Sequence, residues 1–177
     1  MNGPSPPRFD PVARLLHWTM AFLLIGMLAL GYYAAHLKPD DPASPLAFHW
    51  HRSLGVLAFV LAVIRLSWRL RHPLPPFHAA MPAWERPDTV RIERGLYLLM
   101  LVIPVTGYLA STADGQAVRV FGLELPALLD ADKARGTALA AAHFGTALVL
   151  ASLASLHILS VLKHHYLDRD GLLSRMW

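Results

Sequence analysis

The 177-residue chain contains no cysteine. This absence excludes disulfide bonds, iron–sulfur clusters and the C-x-x-C-H attachment of covalently bound c-type haem. Charged residues are also scarce, because Asp, Glu, Lys and Arg make up 16% of the chain, against about a quarter in a typical soluble domain. Hydrophobic residues make up 55%, and the mean hydropathy is +0.39. This composition indicates an integral membrane protein.

Four apolar stretches are long enough to cross a membrane, at about 15–36, 52–70, 94–112 and 138–162. Each should be helical, since lipid leaves an open strand with unsatisfied backbone groups. We therefore expect an all-α, four-helix membrane bundle. Residues 1–177 should form one transmembrane domain with helices at about 11–37, 47–71, 91–112 and 136–165.

Local signals refine this outline. Asp10 followed by Pro11 is typical of a helix N-cap and first turn. Pro104 and Gly107 predict a kink in the third helix. Residues 113–135 form the longest polar connection, whose weak periodicity predicts at most a short amphipathic segment.

The sixteen Lys and Arg residues outnumber the twelve Asp and Glu residues, but their placement points to membrane topology and not to a nucleic-acid partner. With the N-terminus inside, the inner segments hold Arg8, Arg14, Arg65, Arg69, Arg71, Arg86, Arg91, Arg94, Lys163, Arg169 and Arg175, and the outer segments hold Lys38, Arg52, Arg119, Lys133 and Arg135. An excess of Lys and Arg marks the cytoplasmic side. Both termini are therefore expected in the cytoplasm.

Four histidines lie within or at the edges of the apolar stretches: His17, His51, His143 and His157. An ionisable side chain at membrane depth is costly and marks a functional site by default. His143 and His157 are separated by about 21 Å and nearly four whole helical turns, so both face one side. One helix would therefore present a ligand near each membrane surface.

The topology pairs these histidines by depth. His17 and His157 are expected near the cytoplasmic side, and His51 and His143 near the outer side. Two histidines without a nearby cysteine or carboxylate suit low-spin haem iron better than zinc, which usually takes four ligands. We therefore expect two non-covalent b-type haems with bis-histidine ligation. For each histidine taken singly, the alternative is a hydrogen-bonded packing residue.

Further residues are candidates to bind such a cofactor. Arg52 and Arg65 are suited to pair with haem propionates, although arginines at membrane edges also snorkel to the headgroups. Gly55 and Gly145 closely follow their histidines and allow backbone approach to a flat cofactor, or ordinary helix packing.

The other six histidines lie at helix ends or in loops and are expected to be solvated or interfacial: His36, His49, His72, His78, His164 and His165. His49 is two residues from His51, and on a helix the two point to nearly opposite faces. Only one of them is therefore expected to be a ligand.

Several stretches carry a family resemblance: RLLHW around His17, HRSLGVL around His51 followed by VIRLSWRLRHPLPP, ERGLYLLMLVIPVTGY, AAHFGTAL around His143, and LHILSVLKHHY around His157. With them the chain resembles the bacterial cytochrome b561 family, small four-helix di-haem b proteins of the inner membrane. In that family the matching histidines ligate two b-type haems, which implies the same two pairs.

The resemblance implies electron transfer between ubiquinone and a donor or acceptor. One branch of the family oxidises superoxide outside and passes the electron to quinone, which would make the protein a superoxide:ubiquinone oxidoreductase. A positive outer surface would steer this anion. The outer segments hold five basic and six acidic residues, and the cations available for a local funnel are Arg52, Arg119, Lys133 and Arg135.

Two other functions stay open. One is a haem b membrane anchor that conducts electrons for a dehydrogenase or hydrogenase partner protein. The other is a small transporter that uses intramembrane histidines as a proton relay and binds no haem.

Overall fold

The structure is a computed structural model that describes residues 7–38, 40–73, 75–77 and 81–177. Its main elements are the helices α1 (Pro11–His36), α2 (Ser44–Arg71), α3 (Arg86–Ala113) and α4 (Lys133–Lys163). Each helix contains an 18-residue window with a mean hydropathy of 1.7 to 1.9 and is long enough to cross a membrane. The fold is therefore the all-α, four-helix membrane bundle that the composition predicts.

The helices begin where local signals favour a first turn. Asp10 caps α1 as predicted, because its carboxylate accepts a hydrogen bond from the Ala13 N–H at 2.9 Å. The α2 and α3 helices begin earlier than expected, at Ser44 and Arg86 instead of about 47 and 91. Both have a proline in the first turn, where the missing N–H costs nothing.

Successive helices pack side by side, α1 on α2, α2 on α3 and α3 on α4. One buried side chain from each helix meets at the centre of the bundle, namely Met20, Ala62, Met100 and Leu150. Leu150 lies midway between His143 and His157 along α4, so this apolar layer separates two levels of the bundle. We call the level with Pro7 and Trp177, the first and last described residues, the terminal end, and the opposite level the loop end.

The connection between α3 and α4 covers the loop end with a β-hairpin, not with the expected amphipathic segment. Strands β1 (Arg119–Val120) and β2 (Leu123–Glu124) pair across Phe121 and Gly122. Both turn residues have positive φ, 51° and 92°, as a tight hairpin turn of this type requires. The buried Ser53 hydroxyl on α2 donates to the Arg119 carbonyl at 3.0 Å and anchors the hairpin.

The terminal end is closed by residues after α4. A π-helical turn (His164–Asp168) leads into a short 3₁₀ helix (Leu172–Met176). The Trp18 indole N–H donates to the Met176 carbonyl at 2.9 Å, and Arg175 Nε donates to the Pro7 carbonyl at 3.0 Å. The segment after α4 is thereby joined to α1.

Candidate functional site

The four intramembrane histidines form two close pairs. At the terminal end, the ring centres of His17 and His157 are 6.2 Å apart. At the loop end, those of His51 and His143 are 6.0 Å apart. The structure thus brings together the pairs that helix direction predicts, one on each side of the central apolar layer.

These separations fit a metal between each pair. Two imidazoles on opposite sides of one iron have ring centres about 6 Å apart, because each nitrogen lies about 2 Å from the metal and the ring centre about 1 Å beyond it. Among the described residues, the one group of three or more close His, Asp or Glu ligand atoms lies elsewhere, at His164, Asp168 and Asp170. Each pair therefore offers two nitrogens, which suits haem iron better than a tetrahedral zinc site.

The hydrogen bond to His143 leaves one ring nitrogen free. Nδ1 of His143 lies 2.9 Å from the Ile103 carbonyl of α3, which can only accept. Nδ1 therefore carries the hydrogen, and the lone pair of Nε2 is available to a metal. The Thr106 hydroxyl lies 3.5 Å from the same Nδ1.

Two glycines allow helix backbones to approach the loop-end imidazoles. A Cβ placed on Gly31 would lie 2.8 Å from Cε1 of His51, and a Cβ on Gly107 would lie 2.8 Å from Cε1 of His143. Neither was singled out from the sequence for this role. At Gly55 a Cβ would make an ordinary 3.6 Å contact with Met27, and at Gly145 it would meet no neighbouring atom of the described residues within 4 Å. The close approaches therefore come from α1 and α3, not from the glycines that follow the histidines.

The loop end carries an unpaired imidazole nitrogen and a cavity. Nδ1 of His51 is buried and has no hydrogen-bond partner among the described residues, which is rare for a buried polar atom and fits a group that meets a ligand. A cavity of about 290 Å³ at the same end is lined by His49, Arg52, Gln116, Ala117 and Arg119, and not by His51 itself. Arg52 has no carboxylate within 4.0 Å in the described part of the chain and lies over the Phe48 ring.

The other outer cations are paired with carboxylates. Arg119 meets Glu124 at 3.0 Å, and Lys133 meets Asp114 at 2.8 Å. Arg135 lies 3.6 Å from Asp132. Of the four cations available for an anion funnel, Arg52 is thus the one without a carboxylate within 4.0 Å among the described residues.

At the terminal end, an arginine contacts the histidine pair directly. Nη2 of Arg65 lies 3.0 Å from Nδ1 of His17, and Nε donates to the Tyr97 hydroxyl at 3.1 Å. The same guanidinium lies 5.5 Å from the centre of the Tyr97 ring. Arg65 therefore joins α1, α2 and α3 at the level of the pair.

The sequence-based interpretation of His164 is wrong, because this residue is 1% exposed and not solvated. Its Nδ1 lies 2.6 Å from Asp170 and its Nε2 lies 3.2 Å from Glu85. Lys163 completes the network at 2.6 Å from Glu85. The π-helical turn, which the apolar pattern does not signal, directs His164 inward.

Among the other five secondary histidines, His36 and His165 are exposed, and His49 and His72 are partly exposed. His72 stacks on Trp68 with ring centres 3.8 Å apart. His78 lies outside the described residues.

Comparison with known proteins agrees with this architecture. The family profile described as prokaryotic cytochrome b561 matches residues 8–177. Cytochrome b561 homolog 2 of Escherichia coli (strain K12) is 35% identical, over 97% of this chain and 92% of the relative. The probable superoxide oxidase CybB of Yersinia pestis is 28% identical, over 91% and 90% of the two chains. Cytochrome b561 homolog 1 of Escherichia coli (strain K12) is 24% identical, over 96% of each.

The match extends over both histidine pairs and all four helices, so it concerns the whole bundle and not one motif. The resemblance inferred from the histidine motifs is confirmed. The chain belongs to the prokaryotic cytochrome b561 family and is a multi-pass protein of the bacterial inner membrane that transfers electrons by b-type haem.

Proposed function

We propose that residues 1–177 act as one transmembrane unit that binds two b-type haems, ligated by His17 with His157 and by His51 with His143. The observation that carries this proposal is the 6.2 and 6.0 Å spacing of the two imidazole pairs. Bound haem would supply one-electron redox chemistry that the side chains lack. The Ile103 carbonyl keeps the His143 ring in the tautomer that ligation needs.

We expect the terminal end in the cytoplasm and the loop end outside, because the segments of the terminal end hold the excess of Lys and Arg. In this orientation His51 and His143 form the outer site. Arg52, adjacent to His51 and without a carboxylate within 4.0 Å among the described residues, would serve either a propionate of the outer haem or an incoming anion.

We further propose ubiquinone as the electron acceptor and superoxide as the donor at the outer face. Support comes from a relative named a probable superoxide oxidase. In the net reaction two superoxide anions each lose one electron and become dioxygen, and one ubiquinone gains two electrons and two protons. Arg52 and the cavity beside it, and not the ion-paired Arg119, Lys133 and Arg135, should attract the anion.

Haem content tests the first proposal. Pyridine haemochrome analysis of the purified protein should give two haems per chain. A ratio near one would reject the two-site version. A protein without visible absorption would reject the haem proposal and favour the proton-relay transporter.

Rapid mixing with superoxide tests the second proposal. Haem reduction should be fast and should slow as salt rises, since screening acts over about 10 Å at 0.1 M ionic strength. Arg52→Gln should slow this step severalfold. Lys133→Gln combined with Asp114→Asn is the matched control and should keep the rate within about twofold of wild type, because the ion pair that it removes has no net charge. Added ubiquinone should then reoxidise the haems as ubiquinol forms.

The same measurement separates the alternative function. Reduction by superoxide that is slow and indifferent to salt and to Arg52→Gln would reject superoxide as the donor. Ubiquinol-linked reduction of the haems in that protein would indicate an electron conduit for a partner protein, and co-purification of a soluble redox subunit would identify the complex.

A further inference from the structure

Arg65 is a cation at membrane depth whose guanidinium has no carboxylate within 4.0 Å among the described residues, whereas Arg69, one turn further along α2, pairs with Glu93 at 3.0 Å. A charge at membrane depth is costly unless it is paired. Arg65 instead donates hydrogen bonds to two groups that carry no negative charge, the Tyr97 hydroxyl and the His17 ring.

The contact with His17 determines which ring nitrogen is free. A guanidinium can only donate hydrogen bonds, so Nδ1 of His17 accepts through its lone pair. In the neutral ring, Nε2 then carries the hydrogen. A metal-bound histidine has the opposite arrangement, since one nitrogen binds the metal and the other carries the hydrogen and donates it. His143 has this arrangement, because its Nδ1 faces the Ile103 carbonyl.

The Arg65–His17 hydrogen bond is therefore incompatible with iron ligation through Nε2 of His17. Haem loading at the terminal end requires the neutral His17 ring to change tautomer, so that its one N–H hydrogen leaves Nε2 and is carried by Nδ1, and it requires Nη2 of Arg65 to find another acceptor. Nε of Arg65 remains bonded to Tyr97, which holds the side chain at the level of the pair while Nη2 changes partner.

We propose that Arg65 is a positioning residue with two alternative partners, Nδ1 of His17 and a haem propionate, and that in the haem-loaded site it releases Nδ1 and pairs with the propionate. This inference rests on the proposed haem site of His17 and His157. A propionate supplies the anion that Arg65 lacks, and the guanidinium offers two parallel donors to a carboxylate. The retained positive charge also favours the reduced haem, since reduction lowers the charge on the iron.

The experiment compares Arg65→Leu and Arg65→Lys with Arg71→Leu, a control that removes an exposed charge from the same helix. Haem content is measured by pyridine haemochrome, and both haems are titrated redox-spectroscopically. In Arg65→Leu, the reduction equilibrium of one haem should shift about tenfold towards the oxidised form, which is about 59 mV for a one-electron couple. The reduction equilibrium of the other haem should change by less than about twofold. Arg65→Lys should have a midpoint potential close to that of wild type, and Arg71→Leu should have the wild-type midpoint potential.

The proposal is wrong if Arg65→Leu leaves both midpoints unchanged, if both haems shift equally, or if Arg71→Leu shifts one as far. It is also wrong if lysine fails to restore the midpoint. Should Arg65→Leu lose one haem outright, retention of that haem in Arg65→Lys would support the propionate partner, and its loss in both variants would reject it. Failure of the proposed function is distinct, because wild-type protein would then lack the haem.

Discussion

The two ends of the bundle hold their histidine pairs by different means. At the loop end, backbone shape positions the rings, through the Ile103 carbonyl and the close approach of Gly31 and Gly107. At the terminal end a charged side chain does so, because Arg65 contacts His17. The loop-end site should therefore be sensitive to added bulk, and the terminal-end site to lost charge.

The largest expected effect is the loss of one haem site, with the other site retained, when a single histidine is replaced. His143→Ala should remove the loop-end haem and leave most of the terminal-end haem, and His157→Ala should do the reverse. The sites are independent because about 21 Å of helix and the central apolar layer separate them. Difference spectra of the two purified variants measure this.

His49→Ala is the control for those variants and should keep both haems. If it loses the loop-end component, the ligand is His49 and not His51. If His143→Ala and His157→Ala lose the same spectral component, the two histidines share one site and the pairing is wrong.

The next effect concerns the buried network of the terminal end. His164→Ala should lower the thermal midpoint of the protein in detergent, because it leaves the Asp170 and Glu85 carboxylates without their buried imidazole partner, and an unsatisfied buried group typically costs about 1–3 kcal/mol. His165→Ala, at the exposed neighbouring position, is the matched control and should change the midpoint little. Equal midpoints for the two variants would show that the network contributes no net stability.

A smaller effect tests backbone shape at the loop end. Gly107→Ala and Gly31→Ala should lower occupancy of the loop-end haem, because the new methyl group would lie 2.8 Å from an imidazole carbon. Gly26 lies on the same helix as Gly31, and a Cβ there would meet no neighbouring atom in the described part of the chain within 4 Å, so Gly26→Ala should leave haem content unchanged. Haem-to-protein ratios of the three variants measure the difference, and full occupancy in Gly107→Ala would contradict it.

The smallest effect compares the helix caps of the two ends. Asp10→Ala should destabilise the protein by about 1 kcal/mol, a typical N-cap value, because Asp10 caps α1 and also accepts from the Trp68 indole at 3.0 Å. Asp132→Ala should cost less, since the exposed Asp132 caps α4 through the Arg135 N–H. Thermal midpoints in detergent measure the loss of stability in each variant. A larger loss of stability for Asp132→Ala than for Asp10→Ala would contradict this prediction.

Both caps should also respond to acid. The bond from the Ala13 N–H lowers the pKa of Asp10, and the bond from the Arg135 N–H lowers that of Asp132. A lowered folded-state pKa adds stability above the ordinary value of 3.8, and this is lost as the pH falls through the folded-state value. The difference in thermal midpoint between wild type and Asp10→Ala should therefore have its largest value at pH 6 and become smaller below about pH 4.

Periodicity predicts the architecture because helix length and direction determine depth in a membrane. The pairing of His17 with His157 and of His51 with His143 could therefore be predicted from the sequence before any contact was known. The same reasoning misses His164, since a single π-helical turn rotates it inward and the apolar pattern does not encode that rotation.

The sequence also does not predict which residues of two helices approach each other closely. Gly31 and Gly107 matter because each faces an imidazole on a neighbouring helix. Ser53 binds a hairpin far away in sequence. Such contacts depend on how helices pack, so sequence spacing around each histidine pointed instead to Gly55 and Gly145.

One helix supplies half of each histidine pair, and this affects biosynthesis. His143 and His157 both lie on α4, while their partners lie on α1 and α2. A nascent chain that has inserted three helices therefore contains two half-sites and no complete one. In the proposed di-haem protein, cofactor capture must follow insertion of α4, so a coloured protein is one whose fourth helix has already entered the bilayer.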